Sequence, residues 1–150
     1  MAVDEETGRV EVLKLIACFD VGRAINPLSV EGQLEGGAIY GMGYGLTEEV
    51  ILEKGITITP SFSEYLVPTS MDVPEVQTII LESGDGVGPF GAKGVGEPSV
   101  CSVAPAIANA VCDAIGVRIY DLPLTPEKIV RAIKEKRKEH KDVIPAKAGI

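Results

Sequence analysis

A single carboxylate follows the most glycine-rich part of the chain, and its setting is one in which an acid can do chemistry. Residues 84–100 hold six glycines in 17 positions, and Glu97 comes directly before a Pro-Ser pair and an apolar run. Glycine lets a backbone approach a ligand closely. A buried carboxylate binds protons more tightly and can act as a general base, whereas the start of a helix favours the charged form. Glu97 is therefore a candidate catalytic base or, alternatively, a simple charge at a helix start.

Lys93 is the cation nearest to this carboxylate in the sequence. It is predicted to pair either with Glu97 or with an anionic group of a ligand. A phosphate-binding P-loop needs Lys directly after the last glycine, but Ala92 separates Gly91 from Lys93. The letters Gly86-Val-Gly-Pro-Phe-Gly match a dinucleotide-binding fingerprint, yet further glycines block the helix that must follow it. The P-loop is excluded, and the dinucleotide match is weak.

A second set of glycines lies inside a predicted helix. Apolar spacing favours a helix over residues 28–50, with Asn26 or Ser29 as the N-cap. Three of its glycines are spaced four apart and therefore share one helical face: Gly37, Gly41 and Gly45. Such a face permits close packing of another helix or a sheet, or close approach to a cofactor, and the spacing leaves both interpretations open.

The other predicted elements position these two glycine-rich parts. Strands are predicted at 10–19, as a strand entering a buried sheet, and at 56–59 and 76–81, with an irregular extended stretch at 61–72. A buried helix is predicted at 99–115, kinked or broken by Pro105 and closed by Gly116. A last helix begins after the cap Thr125 and runs to about Lys138. Strands and helices without regular alternation predict an α+β fold with a mixed sheet and packed helices.

Composition narrows the class of protein. The net charge of −8 argues against a nucleic-acid partner. No apolar run reaches about 20 residues and the N-terminus is acidic, so we expect no signal peptide or membrane anchor. Three cysteines in apolar settings predict buried thiols in a reducing compartment, hence the cytoplasm: Cys18, Cys101 and Cys112. Seven aromatic residues and no Trp favour a core that is completed against a partner.

The chain divides into one domain with two short flanks. Residues 1–9 are predicted to form a polar lead-in, residues 10–139 the domain, and residues 140–150 a flexible tail. His140, the one histidine, lies in a basic run, where we expect a solvated surface role.

Two long motifs resemble one known family. The string Gly-Ala-Lys-Gly-Val-Gly-Glu-Pro-Ser at 91–99 resembles the end of the molybdenum-binding subunit of the xanthine dehydrogenase and aldehyde oxidase family. The string from Asp20 to Gly37, followed by Gly-Leu-Thr-Glu-Glu, is similar to the segment that carries that family's pterin-contacting glutamine. The resemblance covers residues 10–135 and implies the C-terminal molybdopterin-binding part of such a subunit.

The resemblance also implies roles for individual residues. Glu97 corresponds to the catalytic base, which takes a proton from a molybdenum-bound hydroxide. Gln33 corresponds to the glutamine that hydrogen-bonds the molybdopterin, and Gly36 and Gly37 would let the backbone approach it. The cofactor implied is molybdopterin with molybdenum, in the cytosine dinucleotide form of bacterial relatives. No residue of this chain is expected to ligate the metal.

The family pattern extends beyond this sequence. Segments that complete the cofactor pocket, the iron–sulfur clusters and FAD are expected on partner chains: the remaining molybdopterin-binding segment, an iron–sulfur subunit and a flavin subunit. The implied activity is oxidation of a heterocycle, aldehyde or related carbon with oxygen derived from water, at a site shared with another chain. The alternative is a non-catalytic structural remnant that binds no cofactor. The sequence leaves the substrate open.

Overall fold

A computed structural model describes residues 1–142 of the chain. The strands are β1 (Ala2–Val3), β2 (Val10–Glu11), β3 (Lys14–Asp20), β4 (Leu52–Glu53), β5 (Ile56–Thr57) and β6 (Glu75–Leu81). The helices are α1 (Pro27–Leu46), α2 (Pro98–Cys101), α3 (Val103–Ile115) and α4 (Pro126–Asp142), with a short 3₁₀ turn at Pro89–Gly91. The predicted α+β class is confirmed.

Three two-stranded pairings make up the described sheet structure. β1 with β2 and β4 with β5 are short antiparallel pairs, whereas β3 and β6 run parallel over seven residues each. The prediction of one strand over 10–19 is wrong because the chain leaves the ladder between β2 and β3. The strand predicted at 56–59 shortens to β5, and the polar lead-in at 1–9 contains β1.

Side chains alternate strictly between the two faces of the β3–β6 pair. The inner face carries Leu15, Ala17, Phe19, Val76, Thr78 and Ile80, all buried or half-buried. Of these, Ala17 packs with Val30 and Leu34 of α1 in one core cluster. Every residue of the outer face is exposed. The expectation of a strand within a buried sheet is therefore wrong for this chain, because only one face is covered.

Helix α1 begins where its cap predicts. Asn26 has extended backbone angles, and its side chain accepts a hydrogen bond from the Ser29 N–H at 3.2 Å. Pro27 occupies the first helical position, where a missing N–H costs nothing. Asn26, and not Ser29, is thus the N-cap, and the helix ends at Leu46 instead of Val50.

The predicted helix over 99–115 is two helices. The break falls at Ser102, three residues before Pro105, and Gly116 closes α3 in the left-handed conformation with φ +67°. Only one face of α3 is buried, through Ile107 and Val111, so the expectation of a helix buried all round is wrong. Residues 98–115 are long and apolar enough by composition to cross a membrane. The break at Ser102 and the packing of α3 identify a core helix.

The larger core cluster lies between α1, α3 and α4. Its buried members are Met42, Val103, Ile107, Val111, Ile115, Leu124, Ile129 and Ile133. Helix α4 begins after Thr125, whose hydroxyl accepts from the Lys128 N–H at 3.4 Å, and continues through Asp142. The predicted tail therefore overlaps the end of α4, and its remainder at 143–150 lies outside the described residues, as does the side chain of His140.

The exposure of the cysteines differs from the prediction. Cys18 and Cys101 are exposed, and Cys112 is half-buried. Cys18 is exposed because it falls on the uncovered outer face of β3. The prediction of buried thiols is wrong for these two residues.

Candidate functional site

The two sequence strings that carry the resemblance meet at the carboxyl end of the parallel strand pair. β3 ends at Asp20 and β6 ends at Leu81, and because the two strands are parallel and in register, both ends lie at the same edge of the sheet. The segment after β3 and the glycine-rich loop after β6 therefore start side by side. Backbone hydrogen bonds join them, from Gly84 N to Gly22 O at 2.8 Å and from Lys93 N to Val21 O at 2.8 Å.

Asp20 holds this junction together. Its Oδ1 accepts from the Gly22 N–H at 2.9 Å and from the Ser83 hydroxyl at 2.9 Å. Its Oδ2 lies 2.6 Å from Lys93 Nζ. The hydrogen bond from the Lys93 ammonium, followed by those from Gly22 and Ser83, holds the pKa of Asp20 well below its usual range. The carboxylate therefore stays charged and fastens the loop to the end of β3.

Lys93 is committed to this junction. Its ammonium also lies 2.8 Å from Asp85 Oδ1, and its hydrogen bonds to Asp20 and then Asp85 raise its pKa. Of the two partners predicted from the sequence, Glu97 is not the one observed among the described residues, and a ligand anion stays a prediction. Asp20 could not be recognised as a partner from the sequence because its pairing depends on how β3 and β6 align, and the pairing with Asp85 depends on how the loop folds back on itself.

Three of the six glycines of the loop, Gly86, Gly88 and Gly91, serve contacts between backbone segments, as does Gly22 after β3. Gly22 has φ +65°, and a Cβ there would overlap Gly91 O and reach Lys93 Cγ at 3.0 Å. A side chain at Gly86 would overlap the backbone of Gly91 and Ala92 in the same way. Gly84 and Gly94 differ, because nothing lies within 4 Å of their Cβ positions. The loop is therefore open at its start and again near its end, next to Glu97.

Ser99 connects the end of the loop to α1. It is 2% exposed, and its hydroxyl lies 2.7 Å from Gly96 O and 3.3 Å from Gln33 O, 66 residues away in the sequence. Sequence reasoning missed this residue as a contributor to the site. Its position after Glu97-Pro98 was the available signal, but the partner on α1 depends on tertiary packing.

Glu97 is exposed at the start of α2. Its side chain makes no capping hydrogen bond, and within the described part of the chain its carboxylate has no hydrogen-bond or ion-pair partner. The helix-start interpretation is weak because α2 has only four residues and its first turn is not capped by this carboxylate. The carboxylate points away from the packed interior and is available to a group outside the described residues.

Gln33 lies beside the end of the loop. It is exposed, and its Oε1 lies 4.0 Å from the Cβ position of Gly96. A cleft of about 220 Å³ adjoins it, lined by Arg23, Ile25, Asn26, Ser29, Val30, Gln33, Ala92, Lys93 and Val95. The structure therefore brings Gln33 and the segment before Glu97 together.

The neighbouring glycines of α1 have opposite surroundings. A Cβ on Gly37 would overlap Ser99 Oγ and lie 2.7 Å from Ser99 Cβ, and one on Gly41 would lie 2.5 Å from Val103 Cβ. The shared glycine face is thus used for close packing of α1 on α2 and α3, as the first of the two interpretations predicts, and the cofactor contact of Gly37 stays a prediction. Gly36 has nothing within 4 Å of its Cβ position and is exposed.

Comparison with known proteins agrees with this arrangement. The model of the molybdopterin cofactor-binding domain matches residues 1–74. The chain is 41% identical over 131 residues to the 6-hydroxypseudooxynicotine dehydrogenase complex subunit gamma of Paenarthrobacter nicotinovorans, covering 85% of this chain and 16% of that protein. It is 37% identical to the putative xanthine dehydrogenase molybdenum-binding subunit of Escherichia coli, covering 86% of this chain and 17% of the relative.

A solved structure has the same fold. Quinoline 2-oxidoreductase from Pseudomonas putida 86 superposes with a TM-score of 0.83 at 39% identity, covering 89% of this chain and 17% of that one. The chain therefore spans about one sixth of the length of the relatives that it matches. On these similarities, the chain belongs to the molybdopterin-binding subunits of the xanthine dehydrogenase and aldehyde oxidase family.

Proposed function

We propose that this chain supplies one part of a molybdenum hydroxylase active site, which oxidises a heterocycle, aldehyde or related carbon with oxygen derived from water. The observation that carries the proposal is the Ser99 hydroxyl, which ties the backbone of Gln33 to the segment that ends in Glu97. The residue matched to the cofactor contact and the residue matched to the base are thereby held at one edge of the fold. Both roles require the two residues to lie beside the same cofactor, so their proximity supports the proposal.

The residues at this edge fit a pterin cofactor. The Gln33 amide can donate and accept hydrogen bonds, and it lies exposed beside an open cleft. Gly36 and Gly94 leave space for a flat ligand because no atom lies within 4 Å of their Cβ positions. The cleft also contains Arg23 and the first turn of the 20-residue helix α1, and a cation and a helix N-terminus both favour phosphate. Molybdopterin, in its cytosine dinucleotide form, is the cofactor that we infer.

Glu97 is assigned the role of general base. When bound, the molybdenum cofactor supplies the two-electron oxidation chemistry. Glu97 accepts the proton lost as the water-derived oxygen becomes a nucleophile, a task that requires an unpaired carboxylate. The described residues leave this carboxylate exposed, so the segment that completes the pocket is also what excludes water from it.

Partner chains complete the enzyme in this proposal. We infer a remaining molybdopterin-binding segment, an iron–sulfur subunit and a flavin subunit, assembled in the cytoplasm. One relative's own designation, a complex subunit gamma, describes a multisubunit enzyme. In this proposal, electrons leave the site through these partners.

The test combines assembly with two substitutions. The chain is produced with its complementary molybdopterin-binding segment, and molybdenum content and turnover are measured. Glu97→Gln should lower turnover by about 10²–10⁴-fold, the usual contribution of a general base, with unchanged molybdenum content. Gln33→Ala should lower cofactor content. Glu35→Gln, which changes an exposed acid on α1, is the matched control and should leave both values unchanged.

The outcomes distinguish the enzymatic function from the alternative, a non-catalytic structural remnant. Loss of molybdenum in Glu97→Gln would refute the base assignment. A complex that assembles normally but contains no molybdenum would favour the non-catalytic structural remnant.

A further inference from the structure

The outer face of the β3–β6 pair has a sequence suited to burial and a structure that leaves it open. Strands of parallel sheets are covered on both faces and consist of nearly continuous apolar residues. The sequence Leu-Ile-Ala-Cys-Phe at 15–19 and the sequence Thr-Ile-Ile-Leu at 78–81 follow this pattern. Yet Ile16 is 61% exposed, Leu81 49% and Ile79 39%. The sequence therefore predicts a second cover that the described residues do not provide.

The total surface of the chain leads to the same conclusion. Its accessible surface is 10289 Å², whereas a compact monomer of 15.8 kDa exposes about 7,300 Å². Eight residues of fully extended chain, the number outside the described range, expose about 1,100 Å². Even after this area is subtracted, the accessible surface exceeds that of a compact monomer by about 1,900 Å². One partner of a standard interface contributes about 800 Å². The chain thus exposes enough surface for more than one such interface.

The outer face has a defined shape and charge pattern. Between its two ends the face carries the apolar side chains of Ile16, Cys18, Ile79 and Leu81 and one uncharged polar side chain, Gln77, opposite Ile16. At the amino end of the strands, Lys14 and Glu75 form an ion pair at 2.7 Å. At the carboxyl end, Asp20 is paired with Lys93. A mainly apolar, uncharged centre between two ion-paired ends fits an apolar partner surface and not a strongly charged one.

We propose that this outer face is the docking surface for the remaining part of the molybdopterin-binding subunit, which covers it with the apolar face of one or more helices. This inference rests on the proposed function for the identity of the partner. Helices are the expected cover because α1 already covers the inner face, and parallel sheets are sandwiched between helical layers. The relatives that share this fold are about six times as long as the matched part, so the additional residues needed for the cover are present in the family.

Docking at this face would also complete the site. The strands β3 and β6 lead directly into Asp20 and the glycine-rich loop. A partner seated on the outer face therefore lies next to the carboxyl edge where Gln33 and Glu97 are held.

Cys18 provides a direct reporter of the docked face. The probe partner is the large subunit of the Pseudomonas putida 86 quinoline 2-oxidoreductase with its matching part removed, first shown to reassemble with its own excised segment. The alkylation rate of Cys18 is then measured by mass spectrometry in the isolated 150-residue chain and in its complex with this probe. We expect at least a tenfold slower reaction in the complex. A cysteine introduced as Glu135→Cys, exposed on α4, is the control and should keep its rate.

Several results would overturn the proposal. One is a complex in which Cys18 still reacts at the rate of the isolated chain, and another is failure to assemble at all. Protection of Cys18 in the isolated chain, together with a dimer in size-exclusion chromatography, would show that a second copy covers the face instead.

A pair of isoleucine substitutions provides the second measurement. Ile16→Lys places a charge at the centre of the outer face and should weaken assembly at least tenfold. Ile56→Lys, at a position 69% exposed on β5, is matched in residue type and exposure and should assemble normally. Equal weakening by both variants would contradict a role specific to the outer face.

These measurements are independent of catalysis. A complex that protects Cys18 but holds no molybdenum would refute the proposed function and leave the docking surface intact. A complex that contains molybdenum and turns over substrate while Cys18 remains reactive would refute the docking surface alone.

Discussion

Alanine substitutions at two adjacent glycines of α1 can be compared to measure a packing energy, because the change in helix propensity is nearly the same for both. Gly36 and Gly37 lie next to each other in the same helix, so alanine at either position gains the same approximately 0.5–1 kcal/mol over glycine. A Cβ on Gly36 meets nothing within 4 Å, whereas one on Gly37 overlaps Ser99 Oγ and lies 2.7 Å from Ser99 Cβ. The difference in stability between the two variants therefore isolates the contact with Ser99.

The expected difference in stability follows from the overlap between the new methyl group and Ser99. Forcing an extra methyl into a packed interface costs about 1–3 kcal/mol, so Gly37→Ala should be about 1–3 kcal/mol less stable than Gly36→Ala. Gly36→Ala itself should be about 0.5–1 kcal/mol more stable than the natural chain. With an m-value of about 2 kcal/mol/M, a difference of 2 kcal/mol moves the urea midpoint by about 1 M. Urea unfolding of the 150-residue chain, followed by circular dichroism, measures this difference.

Ser99→Gly provides the control for the mechanism. It removes both Ser99 atoms that the new methyl would overlap, and the next atom, Ser99 C, lies at an ordinary contact distance of 3.4 Å. The gap between Gly36→Ala and Gly37→Ala should therefore shrink in the Ser99→Gly background, with a coupling of about 0.5–3 kcal/mol. Equal stability of the two alanine variants, or a gap unchanged by Ser99→Gly, would refute the reasoning.

Two further predictions concern the junction at the carboxyl end of β3. Because the Lys93 ammonium lowers the folded-state pKa of Asp20, this carboxylate stabilises the fold above its unfolded pKa of about 3.9. That contribution is lost as the pH falls through the folded-state value, so the stability gap between the natural chain and Asp20→Asn should narrow below about pH 4 in urea titrations; a gap that is constant with pH would contradict this. Gly22→Ala combines φ +65° with overlap on Gly91 O, whereas Gly84 has φ +72° and open space. Gly22→Ala should therefore be less stable than its control Gly84→Ala by about 1–3 kcal/mol, and equal thermal midpoints would argue against close packing there.

Local signals in the sequence predicted the starts of α1 and α4 and the end of α3, with Asn26 as one of two candidate caps for α1. Asn26 before Pro27, Thr125 before Pro126 and Gly116 after Ile115 act through hydrogen bonds and backbone angles within a few residues. Such interactions do not depend on the rest of the fold, so they could be predicted without it. The two family motifs likewise identified Gln33 and Glu97 as the candidate site residues.

Contacts between distant segments could not be predicted in this way. The pairing of Lys93 with Asp20 depends on the parallel register of β3 and β6, which the sequences of two seven-residue strands do not specify. The buried hydroxyl of Ser99 looked unremarkable in the sequence, yet it joins the backbone of Gln33 to the loop.

The sequence alone therefore indicated the family, the α+β class and the two candidate functional residues. The tertiary structure decided which glycines serve packing and which leave open space, and that Glu97 and the outer face of β3 and β6 are uncovered within the described residues. The physical reason is the distance along the sequence over which each interaction acts. Caps, turns and periodicity act over a few residues, whereas burial and ion pairing depend on which distant segments, and which partner, come into contact.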